Sequence, residues 1–186
     1  MVSPRQAMIL SVLFIVPIVI VVNLLLRRPV TRMLGSILVT LYGCGVAAVA
    51  FFPIPIGPRA ILHMHSHGQG VIINLVPFKG MLELLGSSWY EGLKNIGGNV
   101  LLLLPLGSLM VYRGLLGNKV NVILTGLILS LGIELLQWLL TEMNLIYPRS
   151  VDVDDVMLNT AGFAAGSLIY HKWAAQILKF RRSQRL

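Results

Sequence analysis

The sequence predicts an all-α fold, a polytopic transmembrane helical bundle of about five spans with an amphipathic interfacial segment on its outer face. Three observations carry that prediction. First, 56% of the 186 residues are hydrophobic and only 12% are charged. Soluble domains carry about 25% charged residues, so this chain has too little polar surface to face water all round. Second, apolar runs of roughly 20 residues alternate with short polar links, the length at which a helix crosses a bilayer. A β-barrel would show shorter segments of alternating polarity. Third, the basic residues behind the net charge of +8 gather beside the ends of the apolar runs, where they encode orientation. That distribution argues against nucleic acid as a partner. Cys44 is the only cysteine, so no intrachain disulfide can form.

The elements follow in order. The run from Met8 to Leu26 is longer than a signal-peptide core, lacks a small-residue cleavage pattern and stops at Arg27 and Arg28, so it reads as an uncleaved span. A second run, Met33 to Phe52, ends at FFPIPIGP, whose prolines cannot continue a helix. Residues 54–97 form an external loop in which Leu75, Phe78, Leu82, Leu85, Trp89 and Leu93 recur at helical spacing. This half-apolar face, with Trp89 and Tyr90 suited to headgroup level, reads as one or two short helices lying on the membrane and broken near Gly86, or as a loop packed on the bundle. The third span runs from Gly98 to Tyr112 with Asn99 near its start and Pro105 inside it. The fourth runs from about Val120 to Leu140, and the fifth from about Asp155 to Ala175. Residues 176–186 are a basic cytoplasmic tail suited to anionic lipid, and the whole of 1–186 is one membrane domain.

Five spans put the termini on opposite sides. Arg27, Arg28, Arg32, Arg113, Lys119, Lys172, Lys179, Arg181, Arg182 and Arg185 fall on one side; Arg5, Arg59, Lys79, Lys94 and Arg149 fall on the other. The richer side is cytoplasmic, which places the N-terminus outside and the C-terminus inside.

Charge within a span is expensive, about 2.5 to 3.5 kcal/mol for an acid at bilayer depth, and Glu134 incurs that cost. Ser130, Glu134, Gln137 and Thr141 are spaced 4, 3 and 4 apart, one polar stripe on an apolar helix. Asp155, Asn159, Gly162 and Gly166 repeat the spacing on the next helix, and the linker supplies Arg149, Asp152 and Asp154. By helical rise Glu134, Gln137 and Asn159 lie at nearly one level, and Asn99 joins them from the third span. Arg149 can hold a carboxylate with its planar fork, either Glu134 or Asp152. Gly126 with Ser130, and Gly162 with Gly166, are small-xxx-small pairs that let backbones approach, which makes helices four and five close neighbours. The layer is either a ligand site or a static packing network. Asp154 and Asp155 also suit capping of a helix N-terminus.

No cofactor is predicted. DVDD offers oxygen ligands but lacks the glycine turn and closing glutamate of a calcium loop. His63, His65 and His67 are weak candidates for zinc or copper, since residues two apart share a face only if extended and no fourth ligand stands at a recognisable spacing. HExxH, GxSxG and phosphate-cradling glycine loops are absent from the sequence.

NLVPF at 74–78, N-x5-P-x-G from Asn99 to Gly107, S-x3-E-x2-Q at Ser130, Glu134 and Gln137, and R-x2-D-x-D-D-x3-N-x2-G-x3-G from Arg149 to Gly166 together resemble the VanZ-like family, over about residues 74–170. The resemblance implies a multi-pass protein of the bacterial cytoplasmic membrane associated with resistance to the glycopeptide teicoplanin, with no settled catalytic residues. Two functions then stand open. One is a non-catalytic envelope protein whose outer-leaflet pocket binds membrane lipid, a lipid-linked cell-wall precursor or the glycopeptide itself. The other is a membrane-embedded enzyme acting on a lipid headgroup, with Glu134 or an Asp as general base and Arg149 on phosphate. No nucleophile or metal set is evident, which favours the first.

Overall fold

The computed structural model describes residues 1–67 and 72–183. Among them lie seven helices, α1 (Pro4–Leu25), α2 (Val30–Phe51), α3 (Pro58–His67), α4 (Lys79–Ser87), α5 (Trp89–Tyr112), α6 (Lys119–Glu142) and α7 (Val153–Ser183), with two short strands, β1 (Ile73–Asn74) and β2 (Val151–Asp152). The fold is the predicted all-α one. Four helices, α1, α2, α5 and α6, are long and apolar enough to cross a membrane. The expected fifth span corresponds to α7, the longest of these helices but a less apolar one, since it carries Asp154 and Asp155 in its first turn, Asn159 within it, and His171, Lys172 and further basic residues towards its end. The third expected span starts earlier, at Trp89 instead of Gly98, because Ser88 caps it there: its hydroxyl accepts from the Glu91 amide at 3.4 Å.

The chain divides into two compact units, residues 1–72 with 137–149, and residues 73–136 with 150–186. The first is built on the α1–α2 hairpin. Ser3 and Gln6 form a capping box at the start of α1, with Pro4 just inside the helix, where its missing N–H costs nothing. Buried Asn23 accepts from the Ser36 hydroxyl at 3.4 Å, a polar tie between the two helices near their turn. Val2 and Ile54 exchange main-chain hydrogen bonds of 2.9 and 3.1 Å.

The second unit is organised on the contact of α5 with α7. A Cβ at Gly162 or Gly166 would overlap the carbonyls of Val100 or Leu104, and one at Gly107 would overlap the carbonyl of Phe163. Glycine is therefore required at all three positions, since the two backbones meet directly. The Ser108 hydroxyl donates to the Gly166 carbonyl at 2.8 Å across the same seam. The Gly162 and Gly166 face thus lies on α5, the third predicted span, and not on α6 as the sequence spacing indicated. Gly126 of α6 instead packs on the side chain of Phe163, which is 0% exposed and the centre of a cluster with Leu103, Val111, Leu116 and Val122. Leu85 of α4 packs on Gly92, which sets α4 against the first turns of α5. Leu75, Phe78, Leu82, Trp89 and Leu93 of the amphipathic segment remain exposed.

Candidate functional site

The site grows from the start of α7. Asp152 is its N-cap, accepting the Asp154 amide at 2.9 Å, as an acid before a helix should. Parallel pairing of β1 with β2 sets Asn74 opposite Asp152, and the Asn74 amide donates to the same carboxylate at 2.9 Å. The other Asp152 oxygen lies over Gly80, where any Cβ would overlap it.

Asp154, only 1% exposed, serves a different helix. Its two oxygens accept the amides of Phe78 at 2.5 Å and Met81 at 3.1 Å. Phe78 is the N-cap of α4 and Met81 its third residue, the two amides that a capping box normally satisfies with local side chains. Phe78 cannot supply one. A single carboxylate from α7 therefore performs both halves of the cap, and it holds Phe78 at a φ of 67°, a left-handed conformation uncommon for a bulky residue.

Glu134 and the remaining polar residues of this unit complete the layer. Glu134 is 4% exposed and accepts the Asp152 amide at 3.3 Å. The Asn99 amide donates to Asp155, which joins α5 to α7 just beyond the glycine seam. Ser130 and Asn159 are buried one turn from these acids, and among the described residues neither the Ser130 hydroxyl nor the Asn159 carbonyl oxygen has a hydrogen-bond partner. Asn99, Ser130, Glu134, Asp152, Asp154, Asp155 and Asn159 thus all belong to the second unit.

Gln137 and Arg149 belong to the first unit, where both serve the C-terminus of α2. The last carbonyls of a helix have no partner within it, and Pro53 prevents the chain from winding on to supply one. Gln137 donates to the Ala50 carbonyl at 2.8 Å, and the Arg149 Nη2 donates to the carbonyls of Val49 at 2.9 Å and Phe52 at 2.8 Å. A cation at this end also complements the helix dipole. Arg149→Gln should destabilise the protein by about 2 kcal/mol, the worth of a charge-assisted hydrogen bond or two, which corresponds to a Tm lower by about 4 to 8 °C. Thermal unfolding in detergent measures it. An unchanged Tm would mean that other donors take over these carbonyls.

Among the described residues, no three His, Cys, Asp or Glu side chains are placed to hold a metal ion. The backbone is helical from Pro58 to His67, not extended. The side chains of His65 and His67, and those of the tail residues Lys179, Arg181, Arg182 and Arg185, lie outside the described residues. Asn74, Gly80 and the amides of Phe78 and Met81 are the participants that the polar spacing did not reveal. The one signal for them was NLVPF, which spans 74–78.

A family model described as VanZ/LLP1 matches residues 38–178. The chain belongs to the VanZ/LLP1 family. The match takes in every residue of the layer, and it begins within α2, so it also includes the Val49, Ala50 and Phe52 carbonyls that Gln137 and Arg149 cap. No curated protein and no solved structure matches the chain.

Proposed function

We propose that this VanZ/LLP1 protein is a non-catalytic envelope protein of the bacterial cytoplasmic membrane, with its N-terminus outside, whose outer-leaflet polar layer binds a lipid-linked or amphiphilic ligand and thereby alters teicoplanin access. The observation that supports a site over a static network is that the buried Ser130 hydroxyl and Asn159 carbonyl oxygen, two of four such atoms, have no hydrogen-bond partner among the described residues. A packing network that serves stability alone satisfies its buried polar atoms, because each one left unpaired costs about 1 to 3 kcal/mol. The acceptor-rich lining suits a headgroup that brings N–H or O–H donors. The enzymatic alternative draws less support, since Asp152 and Asp154 are engaged with amides and Arg149 with two main-chain carbonyls.

The test is susceptibility of a glycopeptide-sensitive Gram-positive host that expresses the chain. Teicoplanin susceptibility should fall without an equal change for vancomycin, and the effect should vanish in Asn99→Ala, Glu134→Gln or Asp155→Asn at normal membrane abundance. A His63, His65 and His67 triple Ala variant should keep it. Layer variants that retain the full shift would make the cluster structural only. In a Cys44→Ser background, an impermeant thiol reagent should label a cysteine at Met143 in intact cells and spare one at Asn118; the reverse pattern would invert the orientation.

A further inference from the structure

Two contacts fix how α6 and α7 run past each other. Gly126 of α6 packs on Phe163 of α7, and Glu134 of α6 accepts the amide of Asp152 just ahead of α7. The higher number on one helix meets the lower number on the other, so the two are antiparallel. Residues four apart stack on one helix face. Ser130 stands four after Gly126, and Asn159 four before Phe163, so these two share a level, one turn inward from Glu134 and Asp155.

That level is sealed on its inner side. Phe163 is wholly buried against Gly126, and Leu103 closes the α5 side at 2% exposure. The Ser130 hydroxyl and the Asn159 Oδ1 are both fully enclosed, and both lack a partner among the described residues. We propose that Ser130 and Asn159 form the closed inner end of the polar layer and bind one small neutral hydrogen-bond donor, an O–H group. It comes either from a water molecule or from a hydroxyl of a lipid headgroup. A cation is not required by these two atoms, because both are uncharged and a single donor hydrogen satisfies the Asn159 acceptor while the Ser130 hydroxyl can both give and take. A phosphate brings acceptors alone and would leave the asparagine oxygen unpaired. The headgroup source rests on the function proposed above; the water source does not.

The sign of one small truncation decides occupancy. If the site is empty, Ser130→Ala removes an unsatisfied buried hydroxyl and the Tm rises; if it is occupied, the variant loses a hydrogen bond and the Tm falls by about 2 to 4 °C. The full-length protein would be unfolded thermally in three settings: lauryldimethylamine oxide micelles and phosphatidylcholine vesicles, which carry no hydroxyl, and phosphatidylglycerol vesicles, which do. A fall in all three identifies water, and a fall confined to phosphatidylglycerol identifies the headgroup hydroxyl. No fall in any setting, or a rise, overturns the proposal. Asn159→Leu, close in volume, should act in the same direction, and the two changes combined should be non-additive if one donor bridges both atoms. A host that shows no teicoplanin shift would remove the envelope reading and leave this result unaffected.

Discussion

Asp154→Ala should unfold the protein at a Tm lower by about 6 to 12 °C, the equivalent of about 3 kcal/mol in a chain of this size. The carboxylate is 1% exposed and accepts two amides that have no other cap in α4. Hydrogen bonds to a charged group are worth about 1.5 to 3 kcal/mol each, and truncation leaves both amides without that acceptor. Asp154→Asn keeps the shape and one acceptor, and should lose about half as much. The effect should also be local. Amide hydrogen exchange of α4, Lys79–Ser87, should accelerate more strongly in Asp154→Ala than that of α1 and α2. Uniform acceleration across the chain, or none in α4, would show that the cap does not govern this helix.

Gly162→Ala and Gly166→Ala should each cost about 3 kcal/mol or more, at the upper end of the overpacking range. The added methyl meets a backbone carbonyl of α5, and a carbonyl inside a helix cannot move aside as the end of a flexible side chain can. The two helices must separate, and the Asn99 to Asp155 and Ser108 to Gly166 hydrogen bonds stretch with them. Gly132→Ala is the matched control. It lies in α6 with nothing within 4 Å of the new methyl, so helix propensity alone should stabilise it by up to about 1 kcal/mol. Thermal unfolding of the three variants in one detergent is sufficient. If Gly162→Ala and Gly132→Ala shift the Tm alike, the close approach of α5 and α7 is wrong.

How much of this could be read from the sequence depends on what kind of group makes each contact. Side-chain periodicity put Glu134, Gln137 and Asn159 at nearly one level, with Asn99 joining them, because helical rise converts number into height; Glu134 instead meets Asp152 ahead of α7, and Gln137 serves the end of α2. Periodicity also identified Gly162 and Gly166 as a face of close approach. Which helix they approach was not legible, since small residues permit contact without choosing a partner, and the deciding groups are the Val100 and Leu104 carbonyls, which every residue type carries. The same holds for Asp154. An acid ahead of α7 reads as its own cap, yet Asp152 fills that role and Asp154 reaches amides of Phe78 and Met81 far away in sequence. Arg149 and Gln137 were recognisable as polar groups needing partners. That those partners include carbonyls at the end of α2 follows from the Pro53 stop only once the fold brings them there.

The cap on α4 has a consequence for biogenesis. Met81 and Asp154 are separated by 73 residues, and the β1–β2 pairing sets Asn74 opposite Asp152, 78 residues on. At about 5 to 20 residues per second, the amides of α4 leave the ribosome some 4 to 15 s before the carboxylate that receives them. Throughout that interval α4 is an amphipathic segment with a loose N-terminus, Phe78 has nothing to hold its left-handed backbone, and Asn74 has no Asp152 to bond. A nascent chain arrested ahead of Val151 would already carry α1, α2, α5 and α6 but could assemble none of these contacts. Ribosome-stalled intermediates should therefore be cut by protease around residues 74–81 until the stall point passes Asp154, after which the same bonds become resistant.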